Sequence, residues 1–496
     1  MMGRRPASPK PDRLTDIVAT PEFDLAVIGG GAGGLAVAAG AAALGAKVAL
    51  IERSRLGGDS LWHGSVPSKA LLKSARVAHA MRHADRWALA PVDPKPDLAR
   101  VMERVASIVA GIAMHDSPER FRAMGVDVII GNGRFASPSA FAVDGRTITA
   151  RHFVLATGSR PAIPPIAGLS YVPYVTNETV FSLREPVPQL IIVGAGPVGC
   201  EMAQAFRRLG SDVTVVDMAT RILPREDSDV ATVLQQQLEL EGIRYRLGIT
   251  VGGVKQGEAR AGRIRMTLRT ANGAVEQIAA SHLMLAAGRV PNIEDLGLDA
   301  AGVRVENGRI LTDESLNTTN SDIHVVGDVA GGHPFTHVAE HHAGVILRQT
   351  VLRMRWTKPS TAIPWCTYTD PELARVGLSE TEARTHGIEH RVYRFPFGDI
   401  DRARAEGETE GFAKLVSDRR GRLLGAAIVG ADAGELIAEC VLAVGKGLKT
   451  RDLLDAIHTY PTRSQVTRRA AGMRRRETLT PSSSAWMRRL FGLRGG

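Results

Sequence analysis

Apolar runs and glycine clusters follow one another along this chain in an order that occurs twice. Phe23 to Ile28 is a short apolar run, read as a β-strand. The turn Gly29-Gly30-Gly31-Ala32-Gly33-Gly34 comes next, then an alanine-rich helix to Leu44-Gly45, then a second strand, Lys47 to Ile51, ending at Glu52. The order returns with the strand Gln189 to Val193 and the turn Gly194-Ala195-Gly196-Pro197-Val198-Gly199. A helix then runs to Leu209-Gly210, and the strand Asp212 to Val216 ends at Asp217. In both copies the acid lies 23 residues after the first glycine. Leu25 to Ala46 carries no charge and is long enough to cross a bilayer, but the glycine cluster inside it reads as a strand-to-helix turn.

A second echo accompanies the first. Ala156-Thr157-Gly158-Ser159-Arg160-Pro161 resembles Ala286-Ala287-Gly288-Arg289-Val290-Pro291, and each follows an apolar run. Each is expected to be a strand that re-enters its own unit and ends in a turn. Elsewhere, Lys69 to Ala123 has a helical period interrupted near Pro91 to Pro96, and Phe135 to Thr149 reads as hairpins. A strand is expected to end at Gly327-Asp328, with a helix from about Thr336 that carries His341 and His342. Pro364 to Tyr460 alternates strands (Arg391 to Phe395, Phe412 to Val416, Leu423 to Val429) with a helix, Gly434 to Gly445.

The expected class is α/β: two Rossmann-like dinucleotide-binding domains plus a C-terminal α+β domain. The expected division is a disordered arm over 1–21, a first nucleotide domain over 22–165, and a second over 166–285. Residues 286–355 complete the first, 360–472 form the third domain, and 473–496 form a basic tail.

Composition changes this picture in three places. A chain of 496 residues is too long for one core. The net charge of +10 is concentrated: Arg468, Arg469, Arg474, Arg475, Arg476, Arg488, Arg489 and Arg494 face one acid, Glu477, so the tail alone carries +7. The body is only mildly basic, which argues against a nucleic-acid face and leaves a tail suited to weak contact with an anionic membrane surface. Trp486-Met487-Arg488-Arg489-Leu490-Phe491 reads as part of a solvated tail, with a short interfacial helix as the alternative. Cys200, Cys366 and Cys440 lie far apart without disulfide or metal-ligand spacing. No metal site is expected, and the N-terminus lacks the apolar core of a secretory signal, so a cytoplasmic location is expected.

The two glycine turns have a direct physical use. The first glycine (Gly29, Gly194) makes the tight turn, the second (Gly31, Gly196) lets backbone approach a pyrophosphate, and the third (Gly34, Gly199) permits close helix–strand packing. A diphosphate then sits on the unpaired N–H groups of the helix start. Glu52 and Asp217 are placed to accept hydrogen bonds from ribose hydroxyls. An acid at 217 repels a 2′-phosphate, so NADH is favoured over NADPH, with Arg221 nearby leaving NADPH open.

Several further segments carry a resemblance. Gly57-Gly58, Pro67-Ser68-Lys69, Ala156-Thr157-Gly158, Gly327-Asp328 and Tyr368-Thr369-Asp370-Pro371-Glu372, with the two nucleotide units, resemble the pyridine nucleotide–disulfide oxidoreductases over about residues 22 to 472. The likeness is strongest to the mercuric reductase-like and dihydrolipoamide dehydrogenase-like flavoproteins, as in Gly57-Gly58-Asp59-Ser60-Leu61-Trp62 and Phe335-Thr336-His337-Val338-Ala339-Glu340. The resemblance implies FAD at the Gly29 unit, aided by Gly58, Thr157 and Gly158, and a nicotinamide dinucleotide at the Gly194 unit, with Gly288 in the matching turn. It also implies Asp328 on the flavin's ribityl chain, Lys69 beside the flavin and paired with Glu201, and a homodimer formed through the third domain.

The same resemblance exposes departures. The family's two redox cysteines, placed on the helix after the first unit, correspond to Ser60 and Ser65, and a serine forms neither a disulfide nor a thiolate. Near the C-terminus the family's histidine base and its glutamate correspond to Tyr460 and Gln465, with His458 two residues away and read as structural. His63, between the two serines, is a weaker candidate. Three functions stay open: an NAD(P)H oxidoreductase whose flavin reduces a small acceptor such as a quinone or oxygen directly; a redox-silent nucleotide-binding homologue with a structural or sensing role; and a Cys-to-Ser variant of a disulfide or mercuric reductase.

Overall fold

The computed structural model describes residues 20–258, 263–354, 356–478 and 480–494. The arm expected over 1–21 falls outside them except for its last two residues. Phe23–Ile28 is the central strand of a parallel sheet, flanked on one side by Val48–Glu52 and Val126–Ile130 and on the other by Arg146–Leu155. The end of that last strand pairs in parallel with Ile323–Val325, which returns from far along the chain. Such a sheet is buried on both faces, which is why its strands are continuous apolar runs rather than alternating ones. The helix Ala32–Ala43 lies over the sheet and packs on Thr336–Thr350. Leu25 to Ala46 is therefore strand, turn and helix, and among the described residues no helix is long and apolar enough to cross a membrane.

The second unit repeats this plan. Arg244–Leu247, Asp212–Asp217, Gln189–Val193 and His282–Leu285 form a four-stranded parallel sheet in that order. The helix Pro197–Arg208 follows its glycine turn and packs on Ser65–Arg82 of the first unit. An antiparallel sheet of Ile249–Gln256, Ile264–Thr270 and Val275–Ala280 was not foreseen from the sequence. Its middle strand buries Ile264, Met266 and Leu268, a two-residue alternation that marks a half-buried strand. The two echo segments do more than end their own strands: Ser159–Pro161 and Arg289–Pro291 pair antiparallel with each other and so join the two units.

The third layer is an antiparallel five-stranded sheet, ordered Pro364–Thr367, Glu372–Gly377, Leu423–Gly430, Phe412–Ser417, Arg391–Pro396, with the helix Ala433–Lys446 against it. Its end differs from expectation. The residues expected as a basic tail after 472 are largely helical: one helix continues over Gln465–Thr478, and another covers Pro481–Phe491.

A buried cation fixes the third layer to the second unit. Lys414, 1% exposed, extends its ammonium to Asp227 at 2.9 Å, Asp229 at 3.1 Å and Glu380 at 2.7 Å. Burial raises the Asp227 carboxyl, but hydrogen bonds from Thr381 and Lys414 outweigh it and hold the group well below the usual carboxylate range. Lys414→Met is expected to lower unfolding stability by about 3–5 kcal/mol, because three carboxylates lose a shared buried partner. The Asp227 contribution is complete above about pH 4 and fades as the pH falls below that value toward the folded-state one. Thermal melts should therefore show a large gap between wild type and variant at pH 7 that narrows in acid, and equal midpoints at pH 7 would refute the clamp.

Candidate functional site

The site is built first on the two glycine turns, whose geometry is nearly the same. Gly29 and Gly194 lie at φ +109 and +117, a region that disfavours any side chain. A Cβ on either would stand 2.4 Å from the Ala156 carbonyl oxygen or 2.3 Å from that of Ala286. A Cβ on Gly34 or Gly199 would stand 1.9 Å from the carbonyl oxygen of Gly29 or Gly194. The helices can start this close to their strands only because those side chains are missing. Gly31 and Gly58 face each other, and a Cβ on Gly58 would come to 2.6 Å from the Gly31 Cα. Gly196, Gly158 and Gly288 open instead onto space, with at most one side-chain atom, 3.9 Å from Gly288. Glycine at such open positions leaves the backbone approachable, as a dinucleotide backbone requires.

Both acids brace their turns. Glu52 accepts from the Gly30 N–H at 2.7 Å and the Ser54 N–H at 2.9 Å. Asp217 accepts from the Ala195 N–H at 2.6 Å and the Ala219 N–H at 2.7 Å. Each carboxylate oxygen keeps a further lone pair for an incoming hydroxyl.

Between the units, Lys69 and Glu201 meet across 132 positions of sequence. The Lys69 ammonium donates to Glu201 Oε2 at 2.8 Å, and the Tyr368 N–H donates to Oε1 at 2.9 Å. Glu201 is 6% exposed and Lys69 36%, so the carboxylate is the buried anchor and the ammonium keeps an open side. The same ammonium lies 4.4 Å from the centre of the Tyr368 ring.

Asp328 sits in a second cluster. Its carboxylate accepts from the Ser159 hydroxyl at 2.5 Å and lies 3.7 Å from Arg289. Burial pushes its carboxyl up, against the pull of Ser159 and Arg289. Arg289 also donates to Ser159 and pairs with Asp59 at 3.1 Å. The neighbouring Gly327 N–H donates to His342 Nδ1 at 3.3 Å; burial lowers that imidazole to about 4, the neutral form this acceptor role requires. Thr157 and Gly158 are pinned to Asn292, the residue after the other echo segment. Ser159, Arg289, Asn292 and His342 were not singled out as site residues from sequence. The repeated segments that contain Ser159 and Arg289, with Asn292 directly after the second, were the available signal.

The comparisons with known proteins settle what this arrangement belongs to. The family described as pyridine nucleotide-disulphide oxidoreductase matches residues 23–343, and that family's dimerisation domain matches 363–471. The chain belongs to the pyridine nucleotide-disulphide oxidoreductase family. Members of this family are flavin-dependent NAD(P)H oxidoreductases. The chain is 35% identical over 451 residues to dihydrolipoyl dehydrogenase of Chlamydia muridarum, covering 90% of this chain and 95% of that protein. It is 32% identical over 451 residues to mercuric reductase of Lysinibacillus sphaericus, covering 90% and 82%. Among solved structures, the HOCl-induced flavoprotein disulfide reductase RclA from Escherichia coli superposes with a TM-score of 0.79 at 28% identity, over 91% of this chain and 99% of that one.

Within this family frame the two serines are not on one helix. Ser60 belongs to the short helix Gly58–Trp62, and Ser65 is the first residue of Ser65–Arg82; His63 and Gly64 break the chain between them. The Ser60 hydroxyl accepts from Thr336 Oγ1 at 2.9 Å, while Ser65 is exposed. His63 lies 3.8 Å from Asp59, and burial lowers its imidazole. The three cysteines offer no substitute thiolate: burial pushes Cys200 up to about 12 and raises Cys366 and Cys440 as well. Tyr460 is not brought to the Lys69–Glu201 pair of its own chain. It is exposed in the third layer and donates to Asp401 at 3.0 Å. His458 pairs with Glu439 at 2.7 Å, and Gln465 donates to the His458 and Thr459 carbonyls. No cluster of metal-ligating side chains occurs among the described residues.

Glu201→Ala removes the acceptor of both the Lys69 ammonium and the part-buried Tyr368 N–H. Stability is expected to fall by roughly 1–3 kcal/mol, the cost of stranding such donors. Differential scanning calorimetry reads this as a lowered midpoint, and an unchanged midpoint would show that the pair is only a surface contact.

Proposed function

We propose that this chain binds FAD at the Gly29 unit and NADH at the Gly194 unit, and passes electrons from NADH through the flavin directly to a small acceptor such as a quinone or oxygen. The observation that carries this reading is a contrast. The charged apparatus between the two units, Lys69 held by Glu201, is in place, while the positions read from the resemblance as the redox cysteines are Ser60, bonded to Thr336, and Ser65.

The cradles at Gly31–Gly58, Gly158 and Gly196 and the Asp328–Arg289 cluster fit the two dinucleotides. FAD, when bound, supplies the group that takes and gives up electron pairs. The rest is the work of the chain. The two glycine turns and their acids orient both nucleotides, and orientation is most of what hydride transfer between two bound rings requires. Lys69 supplies a fixed positive charge to the flavin site, where negative charge develops on reduction. Glu201 and the Tyr368 ring set the position of that ammonium. Asp328, steadied by Ser159, Arg289 and His342, serves as the anchor for the flavin's polyol. For the second unit, the Arg221 guanidinium donates to the Pro224 and Glu226 carbonyls of its own loop, which supports NADH over NADPH at Asp217. The match to the family's dimerisation domain supports a homodimer through residues 363–471.

An anaerobic NADH titration of the purified holoprotein tests the reading. The flavin spectrum is expected to bleach and to recover within seconds on adding a quinone. Ser60→Ala and Ser65→Ala should leave NADH–quinone turnover within about twofold of wild type, and Lys69→Met should slow flavin reduction at least tenfold, about 1.4 kcal/mol or more on the barrier. Flavin that stays oxidised under excess NADH would indicate a redox-silent nucleotide binder instead. Disulfide or mercury reduction appearing only in a Ser60→Cys, Ser65→Cys double variant would indicate a lost dithiol enzyme. Comparison of NADH with NADPH should favour NADH at least tenfold in kcat/KM, and Asp217→Ala should narrow that ratio.

A further inference from the structure

The last described helix, Pro481–Phe491, carries its own caps and has no fully buried residue, with Met487 and Arg488 half-buried. Pro481 opens it, the Thr480 side chain accepts from the Ser483 N–H at its start, and Gly492 closes it at φ +64. At about 100° per residue, Trp486, Leu490, Met487 and Phe491 fall within an arc of about 140°. Arg488 and Arg489 point to the other side of the helix wheel. Trp486, Leu490 and Phe491 are 63%, 57% and 66% exposed, and Leu493 just beyond is 58% exposed. Together they form an apolar arc whose exposure to water carries a hydration penalty.

The charge around this face has one sign. Residues 468 to 494 hold eight arginines and one acid, Glu477. That acid is already engaged, accepting from the Tyr393 hydroxyl at 2.9 Å and pairing with Arg391 at 3.0 Å, which ties the preceding helix to the body. We propose that the Pro481–Phe491 helix is an in-plane anchor that seats this protein on a bilayer surface containing anionic lipid. An 11-residue helix is about 16 Å long, half the hydrocarbon thickness, so it lies in the interface and does not cross it. The aromatic and aliphatic arc enters the boundary between headgroups and acyl chains, and the arginines meet the phosphates, the two-signal combination that stable surface binding needs. A nucleic acid would use the arginines but leave the Trp486–Phe491 face without a partner. The proposal does not depend on which acceptor the flavin serves.

Co-sedimentation of the full-length holoprotein with vesicles tests it. Binding to phosphatidylcholine vesicles containing 30% phosphatidylglycerol is expected to exceed binding to pure phosphatidylcholine at least tenfold and to weaken with salt. The triple variant Trp486→Ser, Leu490→Ser, Phe491→Ser should lose at least tenfold of that binding while its flavin content, melting midpoint and oligomeric state stay as in wild type. Arg488→Gln with Arg489→Gln should reduce binding to the anionic vesicles and leave the weak neutral-vesicle binding unchanged. Equal binding by wild type and the triple variant, or displacement of the wild type by duplex DNA with no contribution from the apolar face, would overturn the proposal. A change of oligomeric state in the triple variant would overturn it too, because the face would then be a contact between copies of this chain.

Discussion

One buried carboxylate holds the three parts of this molecule in register. Glu201 is part of the helix that follows the second glycine turn, accepts from Lys69 on the helix Ser65–Arg82, and accepts from the Tyr368 N–H beside the five-stranded sheet. A half-satisfied carboxylate at this depth would be costly, and each of its two oxygens has a donor from a different layer. The position of the Lys69 ammonium is consequently set by the packing of all three layers and not by its own flexible stem. The catalytic reading and the architecture thus meet in one residue.

The second organising constraint is steric and occurs in duplicate. The third glycine of each turn lies so near the first that only hydrogen fits between them, and the first glycine of each abuts a carbonyl from the matching echo segment. Two nucleotide units with the same internal distances, in one chain, are what duplication of a single strand–turn–helix plan produces. Their divergence is equally informative. Gly31 has the Gly58 Cα beside it, 3.7 Å from where a Cβ would stand, whereas Gly196 opens to space, so the two turns have different walls.

Much of this was readable in the sequence because it is local. Strand, turn, helix and terminal acid each leave a short pattern, and Gln189–Val193 and Asp212–Asp217 coincide with the runs that marked them. Lys69 and Glu201 were paired through family resemblance alone, since no periodicity connects residues so far apart. The antiparallel sheet after Ile249 was missed because the alternation of its first strand is interrupted: the register of Ile249–Gln256 shifts between Val251 and Gly253, and glycines stand at 252 and 253. The placement of Ser60 and Ser65 on separate helices turned on the backbone of Gly64, which side-chain patterning does not report. The C-terminal helices were read as tail because a run of arginines looks solvated whether or not the backbone coils.

The short ribbon formed by Ser159–Pro161 and Arg289–Pro291 has a mechanical consequence. Both passages of the chain between the two nucleotide units run side by side through it, so the covalent links to the second unit share one narrow ribbon. Arg289 grows from that ribbon and grips Asp59 and Ser159 at once. Because that same side chain also lies 3.7 Å from Asp328, the seam between the units and the setting of this carboxylate are fixed by one and the same pair of strands.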